Sequence, residues 1–365
     1  MARPHLSAIV LAAGDGSRMR SSRPKALHVL CGKAMVVYVL DALVGIADRT
    51  VVVVGAGAER VTKKLQEDGP DLVLEFVEQR FARGTGDAVS VGLTAFEDDE
   101  EYDDAHVFVL PGNTPLLRPA TLELLADEHV ASGAAATVLT ASLAEPGGYP
   151  RVVRGKGGRV VRLVEHADAA PDELAIGEVG TGVYCFRRTL LAPALRRIDP
   201  RNSRGVHELS DVVRVLAETG HHVHTVQVRD HTEVLAVDDR VQLARVEAEL
   251  RRRTNLSWLE RGVTFVDPDK TYLDTTVQIG ADVTLFPGTI LQGHTVIGGG
   301  AEIGANTRLV DCVVGAGARV EQTVGRDAVI GPGAVVGPFA VLEPGCEIAA
   351  GVVTGAFYTS GSRDD

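Results

Sequence analysis

Residues 14–25 gather the groups best suited to handling phosphate. Gly14-Asp15-Gly16-Ser17 is followed closely by Arg18, Arg20, Arg23 and Lys25. Small flexible residues let successive backbone N–H groups point into one concavity, and such a nest attracts an anion. The cations just downstream add charge that backbone dipoles alone lack. A short Gly-x-Gly by itself is equally compatible with an ordinary strand-to-helix turn carrying a solvated basic face. The four cations and the Pro24-Lys25 pair favour phosphate.

The elements that must position this loop follow from the hydrophobic pattern. Residues 8–13 form an apolar run that reads as a buried parallel strand leading into the glycines. Further strands are predicted over 50–54, 106–110, 136–140, 182–186 and 222–228, and helices over 34–44, 58–67, 86–94, 119–131 and 206–219. Alternation of this kind predicts an α/β, Rossmann-like, mainly parallel sheet with helices on both faces. Ligands of such sheets bind outside the carboxyl ends of the strands, where residues 14–17 and 111–113 would both lie. Residues 237–253 continue as a long helix with Arg251-Arg252-Arg253 near its end, a solvated cap suited to a helix C-terminus.

From about residue 264 the texture changes. Ile279, Leu285, Leu291, Ile297, Ile303 and Leu309 recur every six residues, and after a slip of one Val314 and Val320 continue the series. Ile330, Val336, Leu342 and Ile348 complete it. A six-residue period with glycines after the aliphatic residue predicts a parallel β-helix of about four three-sided coils. Prisms this short commonly bury their flat sides by oligomerising, which predicts a homotrimer. The expected organisation is 1–238 as one domain, 239–262 as a linker helix and 263–365 as the hexapeptide-repeat β-helix.

Composition narrows the function. The 365 residues are 45% hydrophobic and 24% charged, a soluble globular balance long enough for two domains. A net charge of −12 argues against nucleic acid or a membrane surface as a general partner. Cys31, Cys185, Cys312 and Cys346 lack metal-ligand spacing, which predicts reduced thiols in a cytoplasm. Neither a usable signal peptide nor a run of about 18 apolar residues is legible.

Phosphate loop and hexapeptide β-helix together resemble the bifunctional N-acetylglucosamine-1-phosphate uridylyltransferase/glucosamine-1-phosphate acetyltransferase family, over nearly all of the chain. The family's Leu-Ala-Ala-Gly-x-Gly-(Ser/Thr)-Arg-Met signature with later Pro-Lys and Leu-His is matched by Leu11 to Met19, Pro24-Lys25 and Leu27-His28. The resemblance implies that Leu11, Ala12, Ala13, Gly14 and Gly16 hold the nucleotide while Arg18 and Lys25 bind its phosphates. Gln79 would read the uracil edge, since its amide both donates and accepts. Gly84-Thr85-Gly86 matches a second nucleotide loop, although Asp87 follows where the family commonly has His. The implied left-handed β-helix and the implied reaction are those of a nucleotidylyltransferase using an NTP, UTP by this resemblance, and a sugar-1-phosphate. No protein nucleophile is needed, so alignment and charge neutralisation carry the rate.

Departures from the family pattern set further expectations. The family holds Mg²⁺ through Asp in Gly-Asp-x-Pro and Asn in Val-Asn-(Asn/Asp)-Arg. Here those positions are Asn113 and Asp238, an exchange that keeps one carboxylate and one amide at the same ion. The competing reading loses the metal and makes Asp238 a helix N-cap. On the sugar side Glu165 matches the family's hydroxyl acceptor. Tyr-Gly-Arg has become Tyr149-Pro150-Arg151, Asn-Thr-Gly has become Gly180-Thr181-Gly182, and Glu-Tyr-Tyr-x-Thr-Asp has become Val206-His207-Glu208-Leu209-Ser210-Asp211. An altered sugar phosphate, lacking the N-acetyl group or replaced by a pseudo-sugar, is therefore expected. Acetyl transfer is expected to be absent, because the chain ends soon after Phe357 and Glu343 replaces a cation of the family's Leu-Arg-Pro-Gly. Two alternatives stay open: a guanylyl- or thymidylyl-transferase acting on a sugar or cyclitol phosphate, and an inactive trimeric binding or regulatory protein.

Overall fold

The computed structural model of the chain describes residues 5–96 and 105–360. It divides into two compact units, Met1–His28 with Ala34–Leu243, and Val29–Lys33 with Ala244–Asp365.

In the first unit the strands of one sheet are β1 (Leu6–Ala12), β2 (Arg49–Val54), β3 (Leu74–Glu78), β4 (His106–Pro111), β5 (Ala136–Ser142), β6 (Arg151–Arg154), β7 (Val160–Val164), β8 (Glu178–Arg187) and β9 (Val223–Gln227). Their order is β9-β5-β8-β4-β1-β2-β3, with β6 joined to β8 and β7 joined to β6. β1 runs parallel to β2 and β4, and β8 is antiparallel to β4 and β5. Successive side chains of a strand point to opposite faces, so an all-apolar strand needs cover on both. Accordingly Ala8, Val10, Phe108 and Leu110 enter one buried cluster while Ile9, Val107 and Val109 enter the other. The pairing of Leu11 with Pro111 brings the carboxyl ends of β1 and β4 side by side.

The expected strands and most helices are present, with these corrections. β3, β6 and β7 are additional strands, and the helix Arg188–Leu195 lies in a stretch without a helical expectation. The helix expected over 206–219 begins only at Asp211. Its first five residues are held out of helical form: the Asn202 amide binds the backbone of Arg204 and Val206, and Gly86 N–H donates to His207 O at 2.8 Å.

A helix spans Arg240–Glu260 and the division between the two units falls within it. It runs past the arginine triplet rather than ending there. Arg252 and Arg253 are mid-helix and pair with Glu249 at 2.8 Å each. Asn255, 2% exposed, donates to Pro268 O and Thr271 O, which anchors the later turns.

The second unit contains the left-handed β-helix, three five-stranded parallel sheets whose inward residues are the predicted aliphatics. Five coils form rather than about four. The first, through Phe265 and Leu273, lies outside the six-residue register because the turn Pro268–Lys270 lengthens it. The gap between Val320 and Ile330 is filled by Gly325, which stacks between Leu309 and Leu342. An added Cβ at Gly325 would stand 3.1 Å from Leu309 Cδ2, so a smaller residue suits this layer.

Candidate functional site

Two adjoining cavities lie at the carboxyl ends of β1 and β4, within the first unit. One, about 350 Å³, is lined by Leu11, Ala12, Ala13, Gly14, Lys25, Gln79, Gly84 and Thr85 among others. The other, about 520 Å³, is lined by residues including Pro150, Glu165, Gly180, Thr181, Tyr184 and Glu208. Leu11, Thr85, Pro111, Asn113, Arg204 and Glu208 border both.

Local backbone demands explain the glycines. Gly16 has φ +65°, and an added Cβ would lie 2.9 Å from Lys25 Cβ, so this position lets Lys25 fold back over the loop. Gly84 has φ +108° with His207 O where a Cβ would go. Thr85 then starts the helix Thr85–Leu93. Its hydroxyl accepts from Leu209 N–H at 2.8 Å and donates to Glu208 Oε2 at 3.1 Å, tying the two cavities together.

Charge concentrates where the cavities meet. Lys25 Nζ lies 2.8 Å from Asp238 Oδ1, and Arg18 Nη2 lies 3.2 Å from Asp238 Oδ2. Burial opposes the Asp238 charge, but Lys25 and then Arg18 outweigh it and hold the carboxyl below its ordinary value. Asn113 Nδ2 donates to Asp238 Oδ1 at 3.1 Å and to Val237 O at 3.0 Å. The two exchanged residues thus touch. Asp238 is not the N-cap: Asp239 Oδ1 accepts from Gln242 N–H at 2.8 Å, while Asp238 N–H donates to Gln242 Oε1.

The donor set is compatible with Mg²⁺. The ion favours one or two carboxylates completed by phosphate and water. Asp238 supplies a carboxylate, and Asn113 Oδ1 makes no protein hydrogen bond among the described residues. Among those residues no cluster of three or more His, Cys, Asp or Glu is placed to hold a metal. The arrangement therefore suits an ion that arrives with phosphate.

Gln79 is 9% exposed, and its Nε2 donates to Gly84 O at 3.1 Å and to Asp87 Oδ2 at 2.7 Å. Both neighbours are acceptors, which fixes the amide orientation and leaves Oε1 without a hydrogen bond among the described residues, in a side chain that lines the smaller cavity. Asp87 is a residue whose role sequence reasoning missed: it decides which end of Gln79 is offered.

In the larger cavity, Glu165 Oε1 accepts from Ser210 Oγ at 2.7 Å. Burial pushes the Glu165 carboxyl above its ordinary value; Ser210 opposes this and Glu208 reinforces it. Pro150 O accepts from Gly180 N–H at 2.9 Å. Thr181 lines the cavity, yet its hydroxyl donates to Leu139 O at 2.8 Å and accepts from Val183 N–H at 3.3 Å. Tyr149 braces this wall, donating to Val234 O at 2.8 Å and accepting from Ala236 N–H at 3.2 Å. Tyr184, Glu208 and Ser210 join the site although Tyr184 read as a core residue of a strand and the others as the start of a helix. The signal for Glu208 and Ser210 was the altered Val206–Asp211 segment, whose loop form the helical pattern concealed.

Residues 8–223 match the MobA-like NTP transferase domain, and residues 323–356 match the bacterial transferase hexapeptide (six repeats). With the sheet, the glycine loop and the coils, these matches define a nucleotidyltransferase that carries a hexapeptide-repeat β-helix. The bifunctional protein GlmU of Shouchella clausii (strain KSM-K16) is 41% identical over 351 residues, covering 96% of this chain and 75% of that protein. That of Mycolicibacterium vanbaalenii is 44% identical over 352 residues, covering 96% and 71%. The chain belongs to the GlmU family.

Proposed function

We propose that the chain transfers a nucleotidyl group from UTP to a sugar-1-phosphate, giving the NDP-sugar and pyrophosphate. The observation that carries this reading is the meeting of Arg18, Lys25, Asn113 and Asp238 at the border of the two cavities. A sugar-phosphate oxygen entering from the acceptor cavity attacks the α-phosphorus of a nucleotide held in the other. The new P–O bond forms as the bond to the β-phosphate bridging oxygen breaks, and pyrophosphate leaves. Lys25 and Arg18 exchange Asp238 for phosphate oxygens and neutralise the charge that spreads over them. Mg²⁺, when bound through Asp238 and Asn113, supplies further charge neutralisation at the phosphates.

Gln79 favours a base with an imino N–H. Its free Oε1 can accept from uracil N3–H, whereas adenine and cytosine present no donor at that ring position. Thymine and guanine share the imino N–H, so a thymidylyl- or guanylyl-transferase is the second reading. Roles for Leu11, Ala12, Ala13, Gly14, Gly16, Gly84 and Thr85 at the nucleotide, and for Pro150, Glu165, Gly180 and Thr181 at the sugar, belong to the same proposal.

The remaining parts of the reading concern the frame. We take 1–238 as the transferase domain, 239–262 as the linker helix and 263–365 as a trimerising stalk. Outward valines such as Val313, 46% exposed, and Val329, 43% exposed, offer the stalk a surface to bury. Glu343, at a position where sugar phosphate binding would call for a cation, supports loss of acetyl transfer. Among the described residues no helix is long and apolar enough to cross a membrane and no cysteine is in a disulfide; a cytoplasmic location belongs to the same proposal.

Pyrophosphate release measured with four NTPs and several sugar phosphates, with and without Mg²⁺, tests the proposal. Turnover with UTP that requires Mg²⁺ is expected. Release from ATP or CTP alone, or from no nucleotide, would overturn it.

A further inference from the structure

Among the described residues, Arg204 is the one cation that lines both cavities. Arg18 lines only the larger and Lys25 only the smaller, and Asp238 already holds both. The acceptor phosphate must stand where the cavities meet if its oxygen is to reach the α-phosphorus. Two anions brought together there repel, and a guanidinium beside them offsets that repulsion.

The chain around Arg204 is folded to deliver it. Asn202 Oδ1 accepts from the N–H groups of Arg204 and Val206 at 3.2 Å each. Gly205, with φ +63°, closes the turn by donating to Asn202 O at 3.1 Å. The helix begins only at Asp211, so a loop and not a helical turn spans the four residues from Arg204 to Glu208. Arg204 Nη1 nevertheless donates to Glu208 Oε1 at 3.0 Å.

Glu208 is fixed in its turn. Its side chain is 8% exposed, against 65% for Arg204. The Thr85 hydroxyl donates to its other oxygen, Oε2, at 3.1 Å and accepts from Leu209 N–H at 2.8 Å. A buried carboxylate tied down at its far oxygen is a rigid holder for an exposed guanidinium. Only Nη1 is spent, so Nε and Nη2 make no hydrogen bond among the described residues. These two nitrogens form one edge of the guanidinium, and their parallel N–H groups match two oxygens of one phosphate. Asp238 must give up Lys25 and Arg18 when phosphate arrives, whereas Glu208 need not release Arg204.

We propose that Arg204 binds the 1-phosphate of the acceptor through its Nε–Nη2 edge, and that Glu208 is the positioning residue that aims it. This rests on the nucleotidyl-transfer reading above and adds to it a phosphate ligand from outside the glycine loop.

Calorimetric titration of the full chain with glucose 1-phosphate, glucosamine 1-phosphate and N-acetylglucosamine 1-phosphate tests the assignment. Each is measured with and without α,β-methylene-UTP and Mg²⁺, and the analogue is also titrated alone. Arg204→Gln is expected to weaken whichever 1-phosphate binds the unmodified chain by at least about tenfold, as loss of a charge-assisted bidentate contact does. Affinity for the analogue alone should stay nearly unchanged. Arg204→Lys, which keeps the charge and loses the edge, should recover only part of the loss. Glu208→Gln, which keeps an acceptor for Thr85, should weaken the same 1-phosphate. The double variant Arg204→Gln with Glu208→Gln should bind no more weakly than Arg204→Gln, because Glu208 acts through Arg204. A role for Glu208 confined to bracing Thr85 would make the two losses additive. Additive losses, an unchanged 1-phosphate affinity in Arg204→Gln, an equal loss for the analogue alone, or no binding of any 1-phosphate by the unmodified chain would overturn the assignment. If pyrophosphate is released with no pairing of NTP and acceptor, the transferase reading falls, while the dissociation constants still decide this one.

Discussion

The nucleotide cavity draws its wall from three short stretches, 11–15, 25–26 and 79–88, together with the end of β4 and a few later residues. The charges at its border are paired in advance: Asp238, which lines the other cavity, holds Lys25 and Arg18, and Asp87 holds the Gln79 amide. The acceptor cavity is assembled from segments spread from Leu11 to Gln242, and Glu165 keeps one carboxylate oxygen unspent. The difference teaches how the work is divided. Pre-paired cations need only exchange one anion for another when phosphate arrives, whereas unspent buried groups stay costly until the right substrate completes them. On the proposed reading the first arrangement serves the reaction and the second selects its acceptor.

Removing a phosphate-side cation should have the largest effect. Lys25→Ala is expected to lower kcat by about 10²–10³, as loss of one preorganised electrostatic group does elsewhere. Steady-state kinetics with the acceptor saturating will check this. A comparable loss in KM alone would place Lys25 in ground-state binding instead.

Base selection comes next. Gln79→Ala is expected to reduce discrimination between UTP and CTP by about 10–100-fold in kcat/KM, while leaving the ranking of acceptors intact. A change in acceptor ranking would break the separation of the two cavities.

Thermal stability should separate the two carboxylates by sign. The folded value of Asp238 is depressed, so its charge stabilises the fold above the ordinary 3.8, and this contribution is lost as pH falls through the lower folded value. The folded value of Glu165 is raised above 4.5. Its contribution is full below 4.5 and is lost as pH rises through the folded value. At pH 7 Asp238→Asn should therefore lower Tm and Glu165→Gln should raise it; the Glu165 difference should vanish as pH falls below 4.5, and the Asp238 difference only once pH falls below 3.8. Shifts of one sign in both variants would contradict the contrast.

The stretch from Leu11 to Lys25 was legible because one contiguous segment carries both the strand and the charges it exposes. The β-helix was legible for a similar reason, since each hexad repeats the same inward residue. Legibility failed where contacts are made between distant segments. An apolar periodicity over 206–219 reads as a helix, but the Asn202 amide and the Gly86–His207 bond hold the start of that segment in a loop, and the helix begins only at Asp211. Tyr184 sits in an apolar run, and only the fold reveals that its hydroxyl meets a cavity. Asp238 and Asp239 are indistinguishable as caps in sequence; the Asp239–Gln242 hydrogen bond separates them. The short β6 and β7 lack a long apolar run, the first coil lies outside the six-residue register, and Gly325 hid one position of a later coil because its layer is tight against Leu309.

The smallest effect on turnover should come from the stalk. Val313→Lys with Val329→Lys is expected to convert a trimer into monomers by sedimentation while changing turnover little, because both cavities are lined wholly by first-unit residues. A loss of turnover as large as that of Lys25→Ala would show that assembly reaches the site.

The central claim is that a sugar-phosphate oxygen attacks the α-phosphorus and expels pyrophosphate. A ³¹P NMR time course of the full chain with UTP, Mg²⁺ and each of several sugar 1-phosphates reads this directly. The account predicts that pyrophosphate and a two-phosphorus NDP-sugar signal grow in equal amounts, at the expense of the sugar-phosphate resonance. Orthophosphate in place of pyrophosphate, or pyrophosphate with an unchanged sugar-phosphate resonance, would contradict it.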